Sequence, residues 1–198
     1  MSKVGGILIA LGATVLLVLA IVVGVFSSQN AAISKENQVV EQLDKVATAQ
    51  NEMFDSLEAL VASVQDYKNY EGEALRDIVA ARVGGTSSEA IAKNSETLAK
   101  ANEQAKIYIN AVHEAYPELK ASDLYKEYMT AVQRYNSKVA TTYNAYSRAV
   151  REYRVCTQAW PRRNFLSAVG YETKTFEDLY DGSSVKLPNK GKPKTFGE

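Results

Sequence analysis

The stretch VVEQLDKVATAQNEMFDSLEALVASV, residues 39–64, decides the fold. Steps of four and three along it pick out Val39, Leu43, Val46, Gln50, Met53, Leu57, Leu60 and Val64. The series continues through Tyr67, Glu71, Ala74, Ile78 and Ala81. Only Gln50 and Glu71 in it are neither apolar nor aromatic. A strand would alternate with period two, and an unrelated surface helix would drift off a seven-residue repeat, so the pattern predicts a long helix with a coiled-coil-like seam. Val40, Phe54, Val61, Leu75 and Val79 lie beside the seam and widen it into a face suited to more than one packing partner.

Upstream, Gly5 to Phe26 is a run of 22 residues without a charge. At about 1.5 Å per residue such a helix reaches about 33 Å, enough for a hydrocarbon core of roughly 30 Å. It is too long for the apolar region of a cleaved secretory signal, and no small-residue cleavage site follows it. The run is therefore expected to be an uncleaved transmembrane helix. No glycine or proline separates Val25 from Glu71, so nothing in the composition breaks the helix on leaving the membrane. Lys3 before the span is nearly balanced by Lys35 and Lys45 after it, which leaves the orientation open.

Downstream, Gly84-Gly85 is expected to end the first helix, and Thr86-Ser87-Ser88-Glu89 has the spacing of a capping box for a second. That second helix, Glu89 to Ala115, is alanine-rich with Ile91, Leu98, Ala105 and Val112 at heptad spacing. After Pro117, Ser122 or Asp123 is placed to cap a third helix running to Trp160. The third helix repeats the same rule through Tyr125, Met129, Val132, Asn136, Val139, Tyr143, Tyr146, Val150, Tyr153, Thr157 and Trp160. Asn136 occupies a position where a buried amide sets register. Pro161 breaks the rod, and Phe165 to Tyr180 allows only short helical pieces.

The expected fold class is all-α: a transmembrane helix continuing into an elongated antiparallel bundle of three long helices. The expected divisions are a tail at residues 1–4, the span at 5–26, the bundle at 27–180 and a disordered Lys/Gly/Pro-rich tail at 181–198. Lys186, Lys190, Lys192 and Lys194 in that tail are candidates for contact with anionic lipid.

Chemistry is sparse. The chain carries 23 basic and 23 acidic residues, so its overall field gives no reason to expect nucleic acid as a partner. Single residues of histidine (His113) and cysteine (Cys156) exclude a disulfide within the chain and a zinc site on paired thiolates. There is no phosphate-binding glycine loop, no His-Glu-x-x-His and no nucleophile elbow. No catalytic, cofactor or metal residue is assigned. Of the twelve tyrosines, six fall between Tyr125 and Tyr153, and four of these lie on the seam, which makes them core rather than a ligand-stacking surface.

Several motifs resemble those of the LemA family. Asn30, Asn37, Val39 and Glu41, leading into Asp55-Ser-Leu57-Glu-Ala-Leu60-Val61 and then Val64, Tyr67 and Glu71, are similar to the family's first soluble helix. Ala81-Arg82 resembles the end of that helix. Glu114-Ala-Tyr116-Pro117-Glu-Leu119-Lys120-Ala is similar to its best-known turn motif. Tyr146-Ser-Arg-Ala149-Val150-Arg-Glu-Tyr153, Trp160-Pro161 and Gly170-Tyr171 look like its C-terminal helix and exit. Leu43 stands where the family usually has Trp, Glu52-Met53 replaces a basic pair, Glu58 replaces a proline, Tyr70 replaces a His, and Tyr153-Arg154 replaces Tyr-Asn. The chain is thus identified as a divergent member. The resemblance implies an N-terminal anchor and an antiparallel bundle of long helices.

These observations point to a single-pass protein of the plasma (inner) membrane that acts as a non-catalytic scaffold or adaptor. Its expected partners are membrane lipid through the anchor, an unidentified protein, and further copies of itself. A sensor whose bundle responds to a ligand is the alternative, and a hydrolytic enzyme using His113 is the third reading.

Overall fold

The structure, a computed structural model, describes residues 3–65, 72–115 and 123–176. It is all-α, with no strand among the described residues. The helices are α1 (Lys3–Gln65), α2 (Gly72–Ala80), α3 (Ser88–Ala115), α4 (Asp123–Gln158) and α5 (Arg162–Ala168). The chain divides into two compact units. One joins Met1–Glu41 to Arg148–Phe176, and the other is built on Gln42–Ser147.

Helix α1 is unbroken from the uncharged run into the seam. Its first half is a bare apolar rod: Leu8, Leu11, Leu16 and Leu19 all expose more than half their surface. It is long and apolar enough to cross a membrane, and is a candidate span. Further along, the same residue types are buried, because the apolar positions now recur on one face. Val46, Met53, Leu57 and Leu60 are at most 1% exposed.

In the second unit, α1, α3 and α4 pack as a bundle. Gln50 reaches Tyr143 and Glu52 pairs with Lys138, so α1 and α4 run antiparallel there. Ile91, Leu98, Ala101, Ala105 and Tyr108 supply the buried stripe of α3, and α2 adds Leu75 and Val79.

Several expectations are corrected. The seam phase of α1 does not carry into α2: Ala74 and Ala81 are exposed and Ile78 is half-buried, while Leu75 and Val79 are buried. Within α2 the buried pair Leu75 and Val79 sets its own phase, one residue on from Ala74 and Ile78. It also stops at Ala80, before Gly84-Gly85. Gly85, at φ 116°, makes the turn toward α3 in a conformation that side chains disfavour. The cap of α3 is Ser87, whose Oγ accepts from the Ala90 N–H at 3.1 Å, so the capping pair lies one residue later than Thr86 and Glu89 suggest. Helix α4 ends at Gln158, short of Trp160.

Candidate functional site

The two units are held by different means. In the second unit one polar side chain is fully buried in the seam. Gln50 Nε2 lies 3.0 Å from the Ile91 carbonyl, 2.9 Å from Ser95 Oγ and 2.6 Å from Tyr143 Oη. Two amide hydrogens are shared by three acceptors, and Gln50 Oε1 is buried with no hydrogen-bond partner. Such a group costs about 1–3 kcal/mol, so the layer carries a loss of stability. Nearby, buried Asn94 accepts from the Val83 N–H at 2.6 Å and fastens the α2–α3 turn. Arg82 ties the same turn to α1 through Asp55 at 2.7 Å and lies over the Phe54 ring. A cleft of about 370 Å³ opens here, lined by Glu58, Val61, Ala62, Arg76, Val79, Ala80 and Arg82.

The first unit closes on a polar latch. Helix α5 ends with the Gly170 N–H bonded to the Ser167 carbonyl and the Tyr171 N–H to the Leu166 carbonyl, with Gly170 at φ 67°. This pairing is a Schellman motif, and it needs a residue free to take a left-handed conformation. The turn delivers Tyr171, whose hydroxyl donates to Glu36 Oε2 at 2.8 Å. Tyr153 Oη stands 3.4 Å from that hydroxyl and accepts the Lys174 N–H at 3.0 Å. The Lys174 ammonium pairs with Glu36, and the Phe176 and Tyr153 rings meet in a T-shaped pair.

Lys174 and the Tyr171 hydroxyl hold the Glu36 carboxyl below its ordinary range, against the opposing effect of burial. Burial, with Tyr153 and Glu36 alongside, pushes the Tyr171 hydroxyl far above its usual value. Pairing with Glu36 raises the Lys174 ammonium.

Beside the latch lies a basic cleft of about 560 Å³. Its lining comprises Ala31, Ser34 and Lys35 from α1, Arg148, Arg151, Glu152, Val155 and Cys156 from α4, and Arg162 from α5. Lys35 pairs with Glu152 at 2.7 Å and depresses that carboxyl. Arg162 donates to Cys156 Sγ at 3.4 Å, which uses the buried thiol as an acceptor. Neither Arg148 nor Arg151 has a hydrogen-bond or ion-pair partner among the described residues, although Arg148 adds its field to Glu152. At the neighbouring corner Trp160 is 81% exposed, and the Phe165 ring lies over Gly24, where an added Cβ would come within 3.0 Å of it.

Of the seam residues, Val39, Val46, Met53, Leu57, Leu60, Val132, Val139, Tyr143, Tyr146, Val150 and Tyr153 are buried. Leu43, Ile78 and Met129 are half-buried. Asn136 is exposed, so it is no buried amide; the buried amide on a seam position is Gln50 of α1. Glu114 is exposed near the end of α3. The side chains of Val64, Tyr67, His113 and Tyr125 lie outside the described residues, as do Tyr116, Pro117, Leu119, Lys120, Lys186, Lys190, Lys192 and Lys194. Sequence reasoning missed the latch and the basic cleft. The signals that point to them are Gly170-Tyr171, placed by resemblance alone, and the off-seam arginines of α4.

No curated protein matches the chain. The LemA family model matches residues 31–189, from just beyond the uncharged run through both units. Most of the sequence is thereby covered, and the chain belongs to the LemA family.

Proposed function

We propose that this protein is a membrane-anchored, non-catalytic helical scaffold, held by one span in the plasma (inner) membrane, which presents its outer helical faces to a protein partner or to further copies of itself. The observation that carries this reading is the unbroken α1. One helix supplies both an exposed apolar rod and a buried seam of the bundle. Exposed apolar side chains farther along, such as Ile107 at 55%, support an outer face with something to cover it.

The test uses the full chain in its own membrane. The protein is expected to stay in the membrane fraction after salt and alkaline washing, with its first 26 residues attached. A photo-crosslinker at Ile107 is expected to give one discrete adduct, with a second copy or one other protein. Release by alkaline washing, or no adduct at any exposed α3 position, would remove the reading.

The sensor reading rests on the cleft of about 370 Å³ beside α2, and it predicts a small molecule that raises the melting temperature and is blocked by Val79→Trp. The enzyme reading requires His113 and predicts that His113→Ala abolishes the cellular phenotype, whereas the scaffold reading expects that phenotype to stay intact.

A further inference from the structure

We propose that the basic cleft of the first unit is a lipid-headgroup site: Arg148, Arg151 and Arg162, with Lys35, take the phosphate of an anionic phospholipid, and Trp160 and Phe165 rest at the edge of the hydrocarbon layer. The proposal rests on the membrane anchor.

Depth is the first argument. The Phe165 ring touches Gly24, which lies two residues before Phe26, the last of the uncharged run. At about 1.5 Å per residue that places the ring about 3 Å inside the end of the run. With the run spanning a hydrocarbon core of roughly 30 Å, α5 lies against the membrane boundary. Ala31, in the lining of the cleft, follows Phe26 by about 8 Å, close to the headgroup layer.

Composition is the second. The chain's only tryptophan is 81% exposed at this corner. A tryptophan that is wasteful in water is well placed at an interface, where its ring meets acyl chain and its N–H meets water. Charge is the third. Four cations line the cleft against one carboxylate, and that carboxylate is already paired with Lys35. Guanidinium groups left without a partner suit the forked geometry of a phosphate. A soluble phosphate has the same chemistry, but continuity with the span favours the lipid.

Trp160, as the only tryptophan, makes a direct readout. The full chain is reconstituted into phosphatidylcholine vesicles, alone or mixed with phosphatidylglycerol, with bromine on either lipid near the headgroup or deep in the chain. Flotation with the vesicles after alkaline washing reports the anchor alone. Trp160 emission is expected to be quenched more by shallow than by deep bromine. At equal mole fraction, brominated phosphatidylglycerol is expected to quench about twofold or more better than brominated phosphatidylcholine. In Arg148→Ala/Arg151→Ala that ratio is expected to fall toward one.

A protein that floats while Trp160 stays unquenched would overturn the proposal and leave the anchor standing. Equal quenching by the two lipids, or a preference unchanged in the double variant, would overturn it too. So would loss of the preference on adding inorganic phosphate, which would assign the cleft to a soluble anion. A chain that fails to float would defeat the anchor and the proposal together.

Discussion

The two units share α1 and α4 yet are stabilised differently. In the second unit the buried stripe of α1 is two residues wide: Val46 with Ala47, Ala49 with Gln50, Met53 with Phe54, Ser56 with Leu57, Leu60 with Val61. A stripe of that width serves two neighbours at once, and α3 and α4 are both there to receive it. In the first unit the stripe narrows to Ser28, Ala32 and Val39 in single file, and charged and phenolic groups complete the closure. Stripe width therefore counts packing partners, and where the apolar stripe is narrow, polar groups must hold the chain in place.

The largest expected effect tests the narrow stripe. Val150 is 1% exposed, and Val150→Asp would move a carboxylate into an apolar site without a partner. A loss of more than about 4 kcal/mol, seen as unfolding of the full chain in detergent or failure to accumulate, is expected. Melting close to the unsubstituted protein would mean that the first unit does not depend on this packing.

Next is the wide stripe. Leu57→Ala removes a fully buried side chain and is expected to cost about 2–5 kcal/mol. Leu43 lies on the same 4-3 series but is half-buried near the junction where the stripe narrows. Leu43→Ala is expected to cost roughly 1 kcal/mol, measured by denaturant midpoint in the same detergent. Equal losses would erase the difference in width.

The period of the seam was legible because helical burial is periodic: five positions seven apart, Ala32, Val39, Val46, Met53 and Leu60, are all buried. Four features were not legible. The phase reset between α1 and α2 leaves no composition mark, since Tyr67 and Glu71 fit the old register as well as any residue would. The exposure of Trp160 depends on where α4 stops, and a repeat rule carries no stop signal of its own. The latch joins Glu36 to Tyr171 and Lys174 across more than a hundred residues, a pairing that no local spacing encodes. The basic cleft likewise needs three helices before its four cations meet.

A pH series sharpens the contrast, because the latch titrates and the wide stripe does not. Glu36 is depressed below its ordinary value of 4.5, so its contribution is present above that value and lost as pH falls through the folded pKa. Lys174 and Tyr171 are raised, so their contributions are present below their ordinary values of 10.5 and 10.0 and lost as pH rises. The first unit is expected to be most protected between those limits. The protection of the amides at residues 171–176, taken relative to the intrinsic exchange rate at each pH, should fall on acidification, and Glu36→Gln should flatten that acid response. A flat response in the unsubstituted chain would deny the latch any role in stability.

The smallest effect separates two amides on equivalent seam positions. Asn136 is exposed in the interior of α4, where alanine is the better helix former by up to about 0.7 kcal/mol. Asn136→Ala is therefore expected to raise stability slightly, by no more than about 0.5 kcal/mol, with oligomeric state unchanged. Gln50 is fully buried, and its Oε1 already lacks a partner. Gln50→Leu removes that cost together with the bonds to Ile91, Ser95 and Tyr143, and Ser95 keeps its own bond to the Ile91 carbonyl at 2.7 Å. The two changes nearly offset, so stability is expected to stay within about 1 kcal/mol. What should change is uniqueness. Without the Gln50 amide, which bonds α1 to both α3 and α4 in this layer, disulfide trapping in a Cys156→Ser background between a cysteine at Thr48 and a cysteine placed in turn at Thr141, Asn144 or Ser147 should give cross-links in more than one register. A single register in Gln50→Leu, or a clear loss in Asn136→Ala, would return the register role to Asn136 and reverse the assignment of the two amides.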